Sequence, residues 1–375
     1  MTILDTDELI ELGQSVRTAC ERLATEERVR TVAFEQDGYD AEFWRVLCNQ
    51  VGVTSIALPE NLGGAGYGVG ALGVVAHEFG RALAPVPFLA SAVLATDLLL
   101  AGEGICDHAL LADTLAGLVD GSRTAAAVVN RDGGLWQRAA VTITAVPDGA
   151  QWALTGEARH VLHGNGADSL VVVATVDGDP AVFLLDAAAE QVSVAAEPVL
   201  DRTRPMAALT FTGAIAHRLT DDGPADDVIA RSIQRAIAVM SAEQIGTNER
   251  VLEIAADYAR TREQFGRPIG SFQAIKHKCA DMLVELEWAR SASQAALEST
   301  DAGDGETGWR TSMAKAVCSE SLREAAHANL QIHGGIGFTW EDSAHLYLKR
   351  ARTDEVLFGS PGQHWDKLAL EAKLL

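Results

Sequence analysis

Apolar side chains recur three and four apart through the first third of the chain, the period of an amphipathic helix. The alanine- and leucine-rich stretches Glu8 to Ala33, Ala41 to Gln50 and Gly68 to Leu83 carry it and predict a helical domain over residues 1–120. Between them Pro59-Glu60-Asn61-Leu62-Gly63-Gly64-Ala65-Gly66 is dense in turn residues. It lacks the lysine-serine ending of a phosphate-binding loop and follows no dinucleotide fingerprint, so it reads as a tight helix connection. Over 121–225 the period shortens. Ala125–Val129, Ala140–Val146, Ser169–Val176, Ala181–Leu185 and Ala207–Thr212 are short runs rich in valine, threonine and alanine, separated by Asp-Gly and Pro-Asp-Gly clusters. This predicts an antiparallel β domain of about seven strands. Over 226–375 the helical period returns. Ile233, Ile237 and Met240 begin a face that Val251, Ile254, Ala255 and Tyr258 continue. A second helix to about Glu298, a polar linker at Ser299 to Gly308, a third helix and a last segment from about Ser343 to Arg352 complete an expected antiparallel bundle of four long helices.

Composition narrows the function. A chain of 375 residues exceeds one ordinary core. A formal charge of −22 argues against nucleic acid and anionic membrane surfaces. It also requires local basic groups wherever an anionic ligand binds. Five cysteines, none in a C-x-x-C pair, fit a reducing cytosol, and Cys48, Cys279 and Cys318 fall in apolar helical patterns as core. The ten histidines form no H-x-x-x-H or H-E-x-x-H, so no metal site is expected. The acidic, amphipathic start predicts no signal peptide, and no apolar run reaches the roughly 20 residues of a membrane span. The expectation is a soluble cytoplasmic protein.

One stretch holds more chemistry than periodicity needs, Tyr258 to Met282, YARTREQFGRPIGSFQAIKHKCADM. Arg260 and Arg262 precede Gln264, Phe265 and Gly266, and Pro268 and Gly270 then break the helix. A new helix follows, with Ser271 as its expected cap and apolar positions at Ile275, Cys279, Met282, Leu286 and Ala289. An arginine and an aromatic at a broken helix junction suit an anionic ligand with a planar part, such as a dinucleotide. Solvated helix-end arginines are the competing reading.

The stretch closely resembles the signature R-x-Q/T-F-G-x-x-I-x-x-F-Q of the flavin-dependent acyl-CoA dehydrogenase family. A second signature of that family is matched by Gln331 to Phe338, QIHGGIGF. The turn at Pro59 to Gly66 and HEFGRALAPVPF at His77 to Phe88 resemble the family's N-terminal helical domain. The resemblance implies an N-terminal helical domain, a middle antiparallel β-barrel and a C-terminal four-helix bundle. It implies FAD as cofactor and α,β-desaturation of an acyl-CoA thioester. In that chemistry a glutamate removes the α proton and the flavin accepts the β hydride. It also implies a site built from two subunits, a home half that holds the flavin ring and a donated half that reaches its adenosine diphosphate end. On the donated half, Arg262 would pair with the pyrophosphate, and Phe265, Ile269 and Phe272 would wall the adenine side with Gln264 nearby. Gln331, Gly334 and Gly335 would approach the same end.

The home half departs from the pattern. The family's T-E-P-x-A-G-S-D falls on Val128 to Gly134, VVNRDGG, and its G-x-K-x-W-I-T-N-G on Gly156 to Gly164, GEARHVLHG. His160 stands at the tryptophan position and Leu162 at the threonine position, where leucine has no hydroxyl to donate to the flavin. Phe358 occupies the usual glutamate position, and Ala236 the alternative one used by a minority of relatives. Glu243, Asp354 and Glu355 are the nearest carboxylates, each better read as a helix-surface acid or a buried structural partner. An intact donated half beside a degraded home half resembles the glutamate-lacking subunit of actinobacterial heterotetrameric dehydrogenases that act on steroid side-chain CoA thioesters. That likeness implies an α2β2 heterotetramer with a paralogous subunit, an electron-transfer flavoprotein as acceptor, and room for a bulky polycyclic acyl group. Two other readings stand beside it: a homomeric dehydrogenase with Glu243 as a displaced base, and a non-catalytic interaction protein that has lost flavin.

Overall fold

The computed structural model describes residues 6–35, 38–106 and 109–373. Helices α1 (Thr6–Leu23), α2 (Glu26–Glu35), α3 (Ala41–Val46), α4 (Val69–Ala82), α5 (Thr96–Leu100) and α6 (Ala109–Asp120) come first. The single helix expected over 8–33 is two, divided at Ala24 and Thr25. Wide, π-type turns at Leu47–Val51 and Phe88–Ala95 extend α3 and lead into α5.

Seven strands follow: β1 (Ala125–Val128), β2 (Thr144–Asp148), β3 (Gln151–Leu162), β4 (Ser169–Val176), β5 (Asp179–Asp186), β6 (Val192–Ala196) and β7 (Met206–Arg218). They pair in the order β1-β4-β2-β3-β7-β5, with β6 on β7 and β5 also on β4, which closes the sheet on itself. The pairing is antiparallel except at β1–β4 and the single β2–β4 bridge, which are parallel. Ala140, expected to open the second strand, instead ends a 3-10 turn at Arg138–Ala140, and the strand starts at Thr144. Alternate residues of β4 serve two cores. Leu170, Val172 and Ala174 fill the inside of the sheet, while Val171 and Val173 pack outward on the helices. Burial on both faces explains why β4 and β5 read as unbroken apolar runs.

The last third contains α7 (Asp226–Thr261), a short hairpin of β8 (Glu263–Gln264) and β9 (Arg267–Pro268), α8 (Gln273–Ala302), α9 (Thr307–His333), α10 (Ala344–Val356) and α11 (Pro361–Glu371). Three of these are long. The expected last segment is α10, running four residues further to Val356, and after the loop Leu357–Ser360 an additional helix, α11, begins with Ser360 as its cap in a capping box with Gln363. Ser271 caps nothing; its hydroxyl donates to the Pro268 carbonyl at 2.7 Å, inside a 3-10 turn that precedes α8.

Two glycines bring α4 against α7. A methyl group on Gly80 would sit 2.0 Å from the Glu243 carbonyl, and one on Gly246 would sit 1.9 Å from that of His77. The backbones therefore approach as only glycine permits. The N-terminus of α4 has no local cap. Asp301 of α8 supplies one, its carboxylate accepting from the amides of Val69 at 2.5 Å and Gly70 at 2.9 Å.

Candidate functional site

The two signature stretches meet at one end of the helical bundle. Helix α7 stops at Thr261 and turns through β8 and β9. At the hairpin tip Phe265 has φ +55° and Gly266 φ +74°. Both central residues are left-handed, as in the hairpin turn that favours Asn-Gly. A phenylalanine in that region is uncommon, and this one is 90 % exposed. Strain and exposure on one aromatic together point to a contact outside the chain. Phe272 lies half-buried beside it, ring centroids 6.1 Å apart, with the Arg267 guanidinium 4.1 Å above its face. Ile269 is half-buried against the helical core, and Gln264 is exposed. Arg262 is exposed, and among the described residues no carboxylate lies within ion-pair distance of it.

The second signature closes α9. Gly334 ends that helix at φ +64°, and a methyl group on Gly334 or Gly335 would meet nothing within 4 Å. The space over these glycines is open to an external ligand. Gln331 is exposed on the last turn of α9. Two contacts join the signatures. Tyr258 stacks on His333 with ring centroids 4.0 Å apart, and the Lys278 ammonium donates to Gln331 Oε1 at 3.0 Å. Neither contact was foreseen from the motifs. The signal available for Lys278 was the basic run Lys276-His277-Lys278 in an otherwise acidic chain.

Around β3 gather segments far apart in sequence, the 130–134 loop, Glu197 and Phe358. Leu162 is buried in the helical core, and His160, at φ +56°, turns outward at a bulge in β3. His160 Nδ1 lies 2.9 Å from the Glu197 carboxylate, which also holds Arg159 at 2.8 Å. Asn130 folds the 130–134 loop by accepting from the Gly133 amide at 2.7 Å. The Phe358 amide then donates to the Gly133 carbonyl at 2.9 Å, and the Phe358 carbonyl accepts from His364 Nε2 at 2.9 Å. Phe358 is 3 % exposed. Only about 20 Å³ remains among Leu94, Asn130, His160, Leu162 and Phe358. Sites for drug-sized ligands need roughly 300 Å³ or more, so a flavin ring does not fit here.

The adjacent space between the three layers is filled as well. Arg350 donates to Asp201 at 2.5 Å, to Thr203 at 2.7 Å and to Glu243 at 2.5 Å. Arg204 reaches the same Glu243 oxygen at 2.5 Å and stands 3.3 Å from Asp354. All five charged groups are buried. Burial pushes the Asp354 carboxyl up to about 6 against the pull of Arg204 and Arg350. Burial, with the same two arginines, pushes His163 down to about 3. Glu243 thus serves two guanidinium groups, and about 20 Å³ is left beside it among Phe79, Phe88, His163 and Arg350. Ala236 is fully buried in α7. Glu355 pairs with Arg323 at 2.7 Å and Arg352 at 2.6 Å.

Residues 6–117 match the acyl-CoA dehydrogenase N-terminal domain, and residues 227–371 match the acyl-CoA dehydrogenase C-terminal domain. The chain belongs to the acyl-CoA dehydrogenase family. It is 33% identical over 362 residues to the acyl-CoA dehydrogenase IpdE2 of Mycobacterium tuberculosis (strain ATCC 25618 / H37Rv), covering 96% of each chain. Among solved structures it resembles a variant of the Tcur3481–Tcur3483 steroid ACAD, with TM-score 0.87, 33% identity and 98% of each chain covered. It also resembles the ChsE4–ChsE5 complex from Mycobacterium tuberculosis, with TM-score 0.88, 29% identity and 100% of each chain covered. Family membership makes the chain part of an oxidoreductase lineage acting on CH–CH bonds, with FAD as the implied cofactor. The exposed Arg262 and the open space over Gly334 and Gly335 are chemically suited to a diphosphate, while the roughly 20 Å³ beside Phe358 is too small for a flavin ring. No described helix is long and apolar enough to cross a membrane.

Proposed function

We propose that this chain is the donating subunit of a heteromeric acyl-CoA dehydrogenase. It lends the adenosine diphosphate half of a shared FAD site to a paralogous subunit that carries the glutamate and the flavin-ring pocket. The carrying observation is the contrast inside one chain between an unpaired Arg262 beside a strained, 90 % exposed Phe265 and a home cavity of about 20 Å³. FAD bound in the paired site supplies the hydride acceptor. This chain's residues hold the phosphate and adenine end and bury none of the reacting carbon atoms. The outer face of α8 supports a partner subunit, because Leu283, Val284 and Trp288 lie exposed on neighbouring turns, with Trp288 70 % exposed. Scattered single apolar side chains need no explanation, but a contiguous stripe marks an interface. The similarity to the Tcur3481–Tcur3483 steroid ACAD supports a steroid acyl-CoA as substrate class; the acceptor expected by family resemblance is an electron-transfer flavoprotein.

The test is the flavin-to-protein ratio by absorbance, for the chain purified alone and for the chain co-expressed with a paralogue that carries the glutamate. Little FAD alone, and one FAD per pair of different chains, is the expected result. One FAD per chain in the lone protein would overturn it. A pair that forms yet stays colourless would favour a non-catalytic interaction protein.

A further inference from the structure

We infer that Lys278 is a positioning residue that fixes the side-chain amide of Gln331 for the phosphate edge of a dinucleotide. The inference rests on the shared-site reading above. An ammonium has three donors and no acceptor, so the group 3.0 Å from Lys278 Nζ has to be the amide oxygen of Gln331. In most glutamines the oxygen and nitrogen ends are interchangeable by a flip; here the lysine settles the choice. With Oε1 engaged, the NH2 group is the free end of an exposed side chain on the last turn of α9. It is a donor, beside the open space over Gly334 and Gly335.

Lys278 acts a second way. It stands on the second turn of α8, directly after the hairpin that carries Arg262, so the hydrogen bond to Gln331 ties the two signature segments across α8 and α9. The Tyr258–His333 stack makes a similar tie between α7 and α9. Among the described residues no carboxylate lies within ion-pair distance of Lys278, Arg262, Arg267 or Lys276. These cations, with an amide held as a donor, form an anion-binding set on a chain whose formal charge is −22. The geometry suits an acceptor-rich phosphate group, with Arg262 as the fork and Lys278 as a point charge.

The experiment is FAD titration into the reconstituted pair, with wild type, Lys278→Met, Lys278→Arg, Gln331→Met and the Lys278→Met/Gln331→Met double variant. Thermal melts of each lone chain run alongside. Lys278→Met is expected to weaken FAD binding about tenfold and flatten its salt dependence, with the melt unchanged. Lys278→Arg is expected to recover most of the loss, because it keeps both the charge and the donor. The double variant is expected to bind no worse than the weaker single one, as for two residues acting through one contact. Unchanged FAD affinity in Lys278→Met, with the wild-type pair loading normally, would overturn this inference alone. A fully additive double variant would overturn it too. A wild-type pair that takes up no FAD would overturn the shared-site reading and this inference with it.

Discussion

The amide of Phe358 donates to the carbonyl of Gly133 at 2.9 Å. That contact joins the loop between α10 and α11 to the loop after β1 across a space of about 20 Å³. Phe358 adopts φ +57°, an unusual conformation for a bulky residue, and is 3 % exposed. The aromatic side chain of Phe358 is thereby held as part of the core.

Restoring the carboxylate alone is not expected to restore chemistry. Phe358→Glu would lose a packed ring and bury a carboxyl group beside about 20 Å³ of space, where the nearby Arg159 and His160 are already engaged by Glu197. A stability loss of about 3–5 kcal/mol is expected. Urea unfolding and acyl-CoA turnover of the lone variant measure the two effects. Turnover by Phe358→Glu without any partner would show that the home half is still usable.

Glu243 tests the same view from the opposite wall. One of its oxygens accepts from both Arg204 and Arg350, so removing it leaves two buried guanidinium groups short of a counter-charge. Glu243→Ala is expected to cost about 3–5 kcal/mol. Glu243→Gln keeps an acceptor and is expected to cost less. In the pair, turnover per bound FAD is expected to survive Glu243→Gln. A fall of about a hundredfold or more, the size expected for loss of a general base, in a variant that still melts cooperatively would make Glu243 the base.

The helical parts were legible, and the candidate cations and aromatics could be singled out, because each is written locally. Apolar spacing marks α4, α7 and α9, and Arg262 through Phe272 lie in one short run. The strands were less so. β3 was missed although it spans Gln151–Leu162, because its exposed and half-buried residues and the bulge between Ala158 and Val161 spoil a period of two. β6 was missed because it lies along β7 with four of its five residues exposed. The ion cluster had no sequence signature, since Asp201, Arg204, Glu243, Arg350 and Asp354 come from three separate segments. Glu243 and Asp354 could be read as surface acids or buried partners, and only packing distinguishes the two. The Lys278–Gln331 contact likewise depends on how α8 and α9 lie together.

His77 carries a pH dependence whose sign follows from its neighbours. Its Nδ1 stands 3.0 Å from Glu78 and its Nε2 3.0 Å from Glu249, so the ring bridges α4 and α7. Arg17 also holds Glu78, and Arg81 and Arg290 also hold Glu249. Burial pulls the imidazolium down, but Glu249 and Glu78 outweigh it and raise His77 above 6.5. Burial pushes Glu78 up, yet Arg17 and His77 bring it to about 2; for Glu249 burial is likewise outweighed by His77 and Arg290, to about 2. A raised histidine contributes stability that is complete below 6.5 and is lost as pH rises through its folded value. The depressed glutamates contribute above 4.5 and lose that contribution as pH falls toward 2. This network is therefore strongest between 4.5 and 6.5 and weakens on both sides. Thermal melts across about pH 5 to 9 should show a decline on the alkaline side that His77→Gln removes. Parallel profiles for wild type and His77→Gln over that range would mean that the proton bridging α4 and α7 does not contribute to stability.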